Sequence, residues 1–209
     1  MRMTGTLDHA ELRAVPGDAI PDGRIPEEVD LPAATRAARA FLRSLGISCD
    51  SPGLRDSPAR MARAYAEMLS PRPFEPTTFP NDEAYDELVI VTAIPVQSLC
   101  EHHLLPFTGV AHVGYLPGER ILGLSKLARV VEQFARRPQV QERLTQQVVD
   151  WLDAHLAPKG AGAVIEAEHS CMTLRGVRAT GAVTRTSALT GVLRTNPASR
   201  AEFLAAVRS

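Results

Sequence analysis

Two short blocks of metal-ligand residues, far apart in the chain, constrain its fold more than any other feature. The first is SLCEHHLLPF, Ser98 to Phe107, which sets Cys100, Glu101, His102 and His103 side by side. The second, EAEHSCMTLRG, brings His169 and Cys171. Thiolate and imidazole are zinc ligands, and a catalytic zinc keeps three protein ligands and one open position. A lone Cys or His is more often a packed core residue. Together the two blocks point to a metal site that the fold must close.

Binding every Cys and His would make the site closed and structural. Cys100 and His103 are spaced so that one turn of backbone can aim both at one ion, which turns His102 elsewhere. In a strand, His169 and Cys171 would share a face, one ligating while the other stands beside the ion. This reasoning assigns Cys100, His103 and Cys171 to zinc. His102 and His169 are then free imidazoles beside an activated water, suited to moving protons near neutral pH.

Composition narrows the partners. A chain of 209 residues, 44% hydrophobic and 22% charged, suits one globular domain with an appended segment. A net charge of −1 offers no global field for nucleic acid or an anionic membrane, so an anionic ligand needs a local cluster. No apolar run has the length of a membrane span, and the start lacks a signal-peptide core, so a cytoplasmic location is expected. The 3 Cys make no disulfide framework, and Cys49 reads as a small apolar residue.

Along the chain, residues 1–29 read as a flexible arm, 30–80 as a helical segment, and 81–209 as the catalytic domain. Asp30 caps a helix running to Leu45, closed by Gly46. Ser57-Pro58 opens a second helix with Met61, Tyr65, Met68 and Leu69 as its apolar stripe. Its Arg60 and Arg63 read, by spacing alone, as a solvated basic face. Leu88 to Ile94 and Phe107 to Leu116 are expected strands. Leu127, Val130, Val131 and Phe134 mark a helix that starts at Leu124-Ser125 and breaks at Pro138. Another helix is expected from about Gln139 to Leu156, with Val140, Leu144, Val148, Leu152 and Leu156 inward. Ala163 to His169 and Val177 to Leu189 read as strands, and Ser199 to Glu202 as a capping box opening a last helix. Strands segregate from helices, which favours α+β with an antiparallel sheet.

Ser125 and Lys126 open a helix whose unpaired N–H groups can hold an anion, with Arg129 one turn on. Arg175 follows the Cys171 block. These four would serve a polyphosphate beside the metal; ordinary surface charge is the competing reading. Glu142, beside Gln141, could accept from N1–H and the exocyclic amine of guanine, although an exposed helical Glu is commoner.

The blocks SLCEHHLLPFTGVAHVGYLP, GLSKLARVVEQFARRPQVQERLTQQ, EAEHSCMTLRGV and SRAEFL resemble GTP cyclohydrolase I, over residues 54–207. The resemblance implies the tunnelling fold: an antiparallel sheet with helices packed on one side, preceded by N-terminal helices. It implies a toroidal homo-oligomer, a decamer of two pentamers. It places Zn2+ on Cys100, His103 and Cys171, and makes His102 and His169 catalytic. It matches Gln141 and Glu142 to a guanine-reading pair, and Ser125, Lys126, Arg129 and Arg175 to positions around the triphosphate. Arg60 and Arg63 match basic positions contributed from a neighbouring subunit.

The reaction so implied converts GTP to 7,8-dihydroneopterin triphosphate and formate, opening folate or pterin biosynthesis. Protonation of N7, by His169 or His102, makes C8 attackable. Hydration at C8 opens the imidazole ring, a second hydration releases formate, and an Amadori rearrangement precedes ring closure. The later proton transfers suit the two histidines and Ser125. Sites shared between subunits are implied, with metal from one chain and base reader from the next. Two other readings compete: a relative acting on another purine triphosphate, and a structural zinc protein. Glu142 favours guanine, because adenine lacks the N1–H donor. The unclaimed histidines speak against a purely structural zinc.

Overall fold

The computed structural model describes residues 29–208, so the expected arm, residues 1–29, lies almost wholly outside the described residues. Helix α1 (Leu31–Ser44) starts where Asp30 accepts a hydrogen bond from the Ala33 N–H at 2.8 Å, with proline in the first turn. Helix α2 (Ser57–Met68) opens on Ser57-Pro58 as expected and packs against α1. Its expected stripe is only half-buried; Pro58 and Ala62 are its buried residues.

The chain continues through β1 (Thr78–Pro80), β2 (Val89–Cys100), β3 (Pro106–Leu116), β4 (Arg120–Leu122) and α3 (Leu124–Ala135). Then come β5 (Pro138–Gln139), α4 (Gln141–Leu156), β6 (Gly160–His169) and α5 (Ser170–Thr173). Last are β7 (Thr184–Leu189), α6 (Gly191–Thr195) and α7 (Pro197–Ala206). One sheet runs in the order β5-β2-β3-β6-β7. All its pairs are antiparallel except β5 with β2, which run parallel at Leu99–Pro138 and Cys100–Gln139.

Period-two alternation decides what each face does. Ala111, Val113, Tyr115, Ala163, Ile165 and Ala167 point to α3 and α4, where they meet Leu127, Val130, Val131, Leu144, Val148, Leu152 and Leu156. Val140, expected inward on α4, instead precedes that helix as its cap residue. On the opposite face Val164 and Leu189 meet Leu193, Phe203 and Val207, so the short α6–α7 pair covers that side of β6. Gly162 permits this contact: a Cβ there would stand 2.9 Å from the Phe203 ring. The architecture is α+β with an antiparallel sheet backed by α3 and α4, as expected of the tunnelling fold.

Three boundaries differ from the sequence reading. Strand β2 does not stop at Ile94 but runs on to Cys100, because a bulge between Val91 and Ile94, with Ala93 at φ 53°, resets the register. Strand β7 begins only at Thr184; Gly176 and Gly181, both at positive φ, turn the chain before it. Helix α7 is capped by Asn196, whose side chain accepts from the Ala198 and Ser199 N–H groups, so Ser199–Glu202 lies inside the helix. Among the described residues no helix is long and apolar enough to cross a membrane.

Candidate metal centre and active site

The bulge that extends β2 delivers Cys100 to the end of the sheet. There the chain doubles back at once: the Cys100 carbonyl accepts from the N–H groups of His103 (3.3 Å) and Leu104 (2.7 Å), and its own N–H donates to Leu105 O (2.9 Å). Leu104 closes the turn at φ 51°, a left-handed backbone that costs a non-glycine residue about 1–2 kcal/mol. The turn keeps Cys100 buried and presents His102 and His103 at the surface.

Gln139, a residue the sequence reading assigned only to a helix start, secures this turn. Its carbonyl accepts from Glu101 N–H at 3.0 Å. Its wholly buried amide donates to Phe134 O and Gln147 Oε1, both at 2.8 Å, and accepts from Arg143 Nε at 2.9 Å. Arg143 in turn pairs with Glu101. The Pro138 break between two amphipathic helices was the available signal that a polar residue there serves something other than a helix face.

The second block meets the first through register. His169 ends β6 opposite Phe107 on β3, and its ring stacks on Phe107 at 4.4 Å between centroids and 10° between planes. Contrary to the expected shared strand face, Cys171 lies beyond the strand that ends at His169. Strand β6 runs out of partner there, since β3 begins at Pro106, and the chain turns into α5. Both residues still reach the site, by a strand-to-helix turn.

The ligand atoms of Cys100, His103 and Cys171 all lie within 4.8 Å of one another. The two sulfurs are 3.8 Å apart, and His103 Nδ1 is 3.9 Å from Cys100 Sγ. Two thiolates about 2.3 Å from one tetrahedral zinc stand about 3.8 Å apart, so the sulfur separation suits that ion. Burial, reinforced by the neighbouring Cys100, pushes the Cys171 thiol up when nothing cationic lies between them; a divalent cation reverses that balance. The group could hold a metal ion with three protein ligands. His102 Nδ1 also lies 3.9 Å from Cys100 Sγ, yet His102 falls outside the mutual cluster.

Around this cluster stand His169, Gln141, Glu142 and Arg175. Burial holds the His169 imidazole below its ordinary value, favouring the neutral ring, while the Glu142 carboxylate pulls the other way. Glu142 is exposed in the first turn of α4 and available to a ligand. Gln141 departs from the expected base reader. It is 1% exposed, and its amide nitrogen donates inward to Ile165 O, Thr184 O and Thr186 Oγ1. Arg175 Nη1 lies 3.3 Å from His103 Nε2, placing a cation at the rim.

The other expected phosphate residues lie elsewhere in the chain. Ser125 and Arg129 line a cavity of about 420 Å³ with Arg72, Ile94, Pro95, Gln97, Glu132 and Arg136. The far end of α3 abuts the metal side, since Ser98 Oγ donates to Arg137 O at 3.3 Å. At 1.5 Å per helical residue, Ser125 is therefore roughly 18 Å from that end. Arg60, on α2, is exposed and engaged locally with Gly53 O, Ser57 Oγ and Asp56; Arg63 is exposed as well. The expected division of the site put the metal in one chain and the Gln141-Glu142 reader in another. Gln141 instead touches His169 of its own chain. Sequence reasoning also missed Arg72, Glu132 and Arg136, which segments distant in the chain bring together.

Several known proteins are similar to this chain. GTP cyclohydrolase 1 of Mycobacterium ulcerans is 53% identical over 180 residues, covering 84% of this chain and 89% of the relative. GTP cyclohydrolase 1 of Corynebacterium glutamicum is 50% identical over 186 residues, covering 87% and 95%. A crystal structure of an archaeosine synthase QueF-Like in the apo form aligns with 50% of this chain and 93% of its own, at 16% identity and a TM-score of 0.42. The sequence profile of the family described as GTP cyclohydrolase I matches residues 34–208, and with it the chain belongs to the GTP cyclohydrolase I family.

Proposed function

We propose that this chain is a zinc-dependent hydrolase that opens the guanine ring of GTP at C8, releases formate and forms 7,8-dihydroneopterin triphosphate. The observation that carries the reading is the convergence of Cys100, His103 and Cys171 within 4.8 Å, with His169 and Glu142 beside them. Those three residues hold the zinc. When bound, the ion supplies Lewis acidity that makes water nucleophilic near neutral pH.

The remaining work falls to side chains. Glu142 accepts from N1–H and the 2-amino group, which orients C8 toward the metal side and selects guanine over adenine. His169, held neutral by burial, and the exposed His102 deliver and recover protons at N7 and at the later ring-opened nitrogen. After formate leaves, the same imidazoles and Ser125 serve the Amadori rearrangement and ring closure. Arg175 and, from a neighbouring chain, Ser125, Lys126 and Arg129 neutralise the triphosphate, with Arg60 and Arg63 as further basic positions.

The separation of α3 from the metal group within one chain supports a shared site. C8 and the triphosphate of one GTP lie closer together than roughly 18 Å, the rise of α3 from Ser125 to its end beside the metal side. The assembly proposed is a toroidal homodecamer of two pentamers in the cytoplasm, feeding folate or another pterin pathway. Incubation with GTP, with and without a chelator, tests the reading. Formate and a fluorescent pterin after oxidation are expected from the zinc-loaded protein. No formate from zinc-loaded oligomers would reject it.

A further inference from the structure

We infer that Gln141 is a positioning residue for His169, fixing the ring as the tautomer with its proton on Nε2, and does not read the guanine. The inference rests on the function proposed above. Carbonyl oxygens only accept, and Ile165 O and Thr184 O each lie 3.0 Å from Gln141 Nε2. The amide nitrogen must face them, so Oε1 must face the other way. Thr186 Oγ1 is a further acceptor at 3.1 Å, backed by the Thr145 hydroxyl 2.6 Å from it.

Gln141 Oε1 stands 2.7 Å from His169 Nε2 and can only accept. Nε2 therefore carries the hydrogen, and the Phe107 stack fixes the ring plane. His169 Nδ1 makes no hydrogen bond among the described residues, which leaves it the lone pair for proton transfer. Gln141 is 1% exposed, with its amide hydrogens already committed, whereas the adjacent Glu142 is exposed and free to meet a base.

Gln141→Leu keeps the volume and removes the acceptor, and is assayed as the zinc-loaded oligomer on GTP. Loss of one general acid–base group's alignment lowers kcat about 100-fold with KM changed less than about threefold. In protein carrying 15N-histidine, the ring signal absent from His169→Ala should report hydrogen on Nε2. A KM raised about tenfold or more with kcat unchanged would make Gln141 a base reader and overturn the inference. An Nδ1–H tautomer would overturn it too. If Gln141→Leu fails to fold, the tautomer of the wild-type protein decides. A wild type that releases no formate refutes the proposed function instead, and the tautomer measurement still tests this assignment.

Discussion

Mixing two dead variants separates the two halves of the site. Cys171→Ala removes a metal ligand and Lys126→Ala removes a cation at the start of α3. The start of α3 lies roughly 18 Å, by its helical rise, from the end that abuts the metal side. On the proposed shared site, one GTP draws its metal group and its α3 cations from different chains, and each variant alone is defective at every site. After refolding from denaturant at equal amounts, a site has an intact metal group with even odds and an intact α3 with even odds. About a quarter of sites should regain both. The pair Cys171→Ala with Glu142→Ala should recover nothing. Gln141 bonds His169 within one chain, so the reader and the metal group travel together and every such half carries one defect. The assay is formate release in mixed oligomers whose composition is verified by mass. Recovery in the Cys171–Glu142 mixture, with none in the Cys171–Lys126 mixture, would refute the division read from the geometry.

Further outcomes follow from the same contacts. Cys100→Ala, His103→Ala and Cys171→Ala should each lose bound zinc and turnover, while His102→Ala and His169→Ala keep zinc and lose turnover; zinc retained at wild-type level by Cys171→Ala would remove it from the ligand set. Glu142→Ala should weaken GTP binding by on the order of 2–4 kcal/mol, the worth of a bidentate charged contact whose partner is left unpaired. The exposed Glu202→Ala should leave binding unchanged, and an ordinary GTP dissociation constant for Glu142→Ala would exclude Glu142 from the pocket. Glu132 accepts both ends of Arg72 at 2.7 Å, and that hydrogen bond holds its carboxyl below the ordinary value. Its contribution to stability is present above the unfolded carboxylate pKa and lost as pH falls through the lower folded one. Glu132→Gln should flatten the fall of the urea midpoint over that acidic window; an unchanged slope would show that another group carries it.

Much of the candidate site was legible because metal ligands are few in kind and their spacing is local. Cys100 and His103 belong to one turn, and a turn can be read from a short string of residues. The stripe of Leu144, Val148, Leu152 and Leu156 was legible for a similar reason: helical period alone puts those side chains on one face, and all of them are buried. The strand carrying His169 was also legible, although the turn that aims Cys171 was not. That turn exists because β3 offers no partner beyond Pro106, a fact about a strand far away in sequence.

The sequence by itself determined the class of the fold, the three residues that converge as a group able to hold a metal, the N-cap of α1 and the start of α2. Local propensity, periodicity and ligand type suffice for these. Only the tertiary structure decided where polar groups spend their hydrogen bonds. Gln141 carries the same amide whether it faces a base or the core. The carbonyls of Ile165 and Thr184, from two strands, turn it inward and commit its oxygen to His169. Gln139 and Glu132 likewise owe their roles to partners that no spacing rule connects. The placement of α3 followed the same logic. How far α3 stands from Cys100 is set by helix rise and sheet register acting together, and neither is visible until the elements have packed.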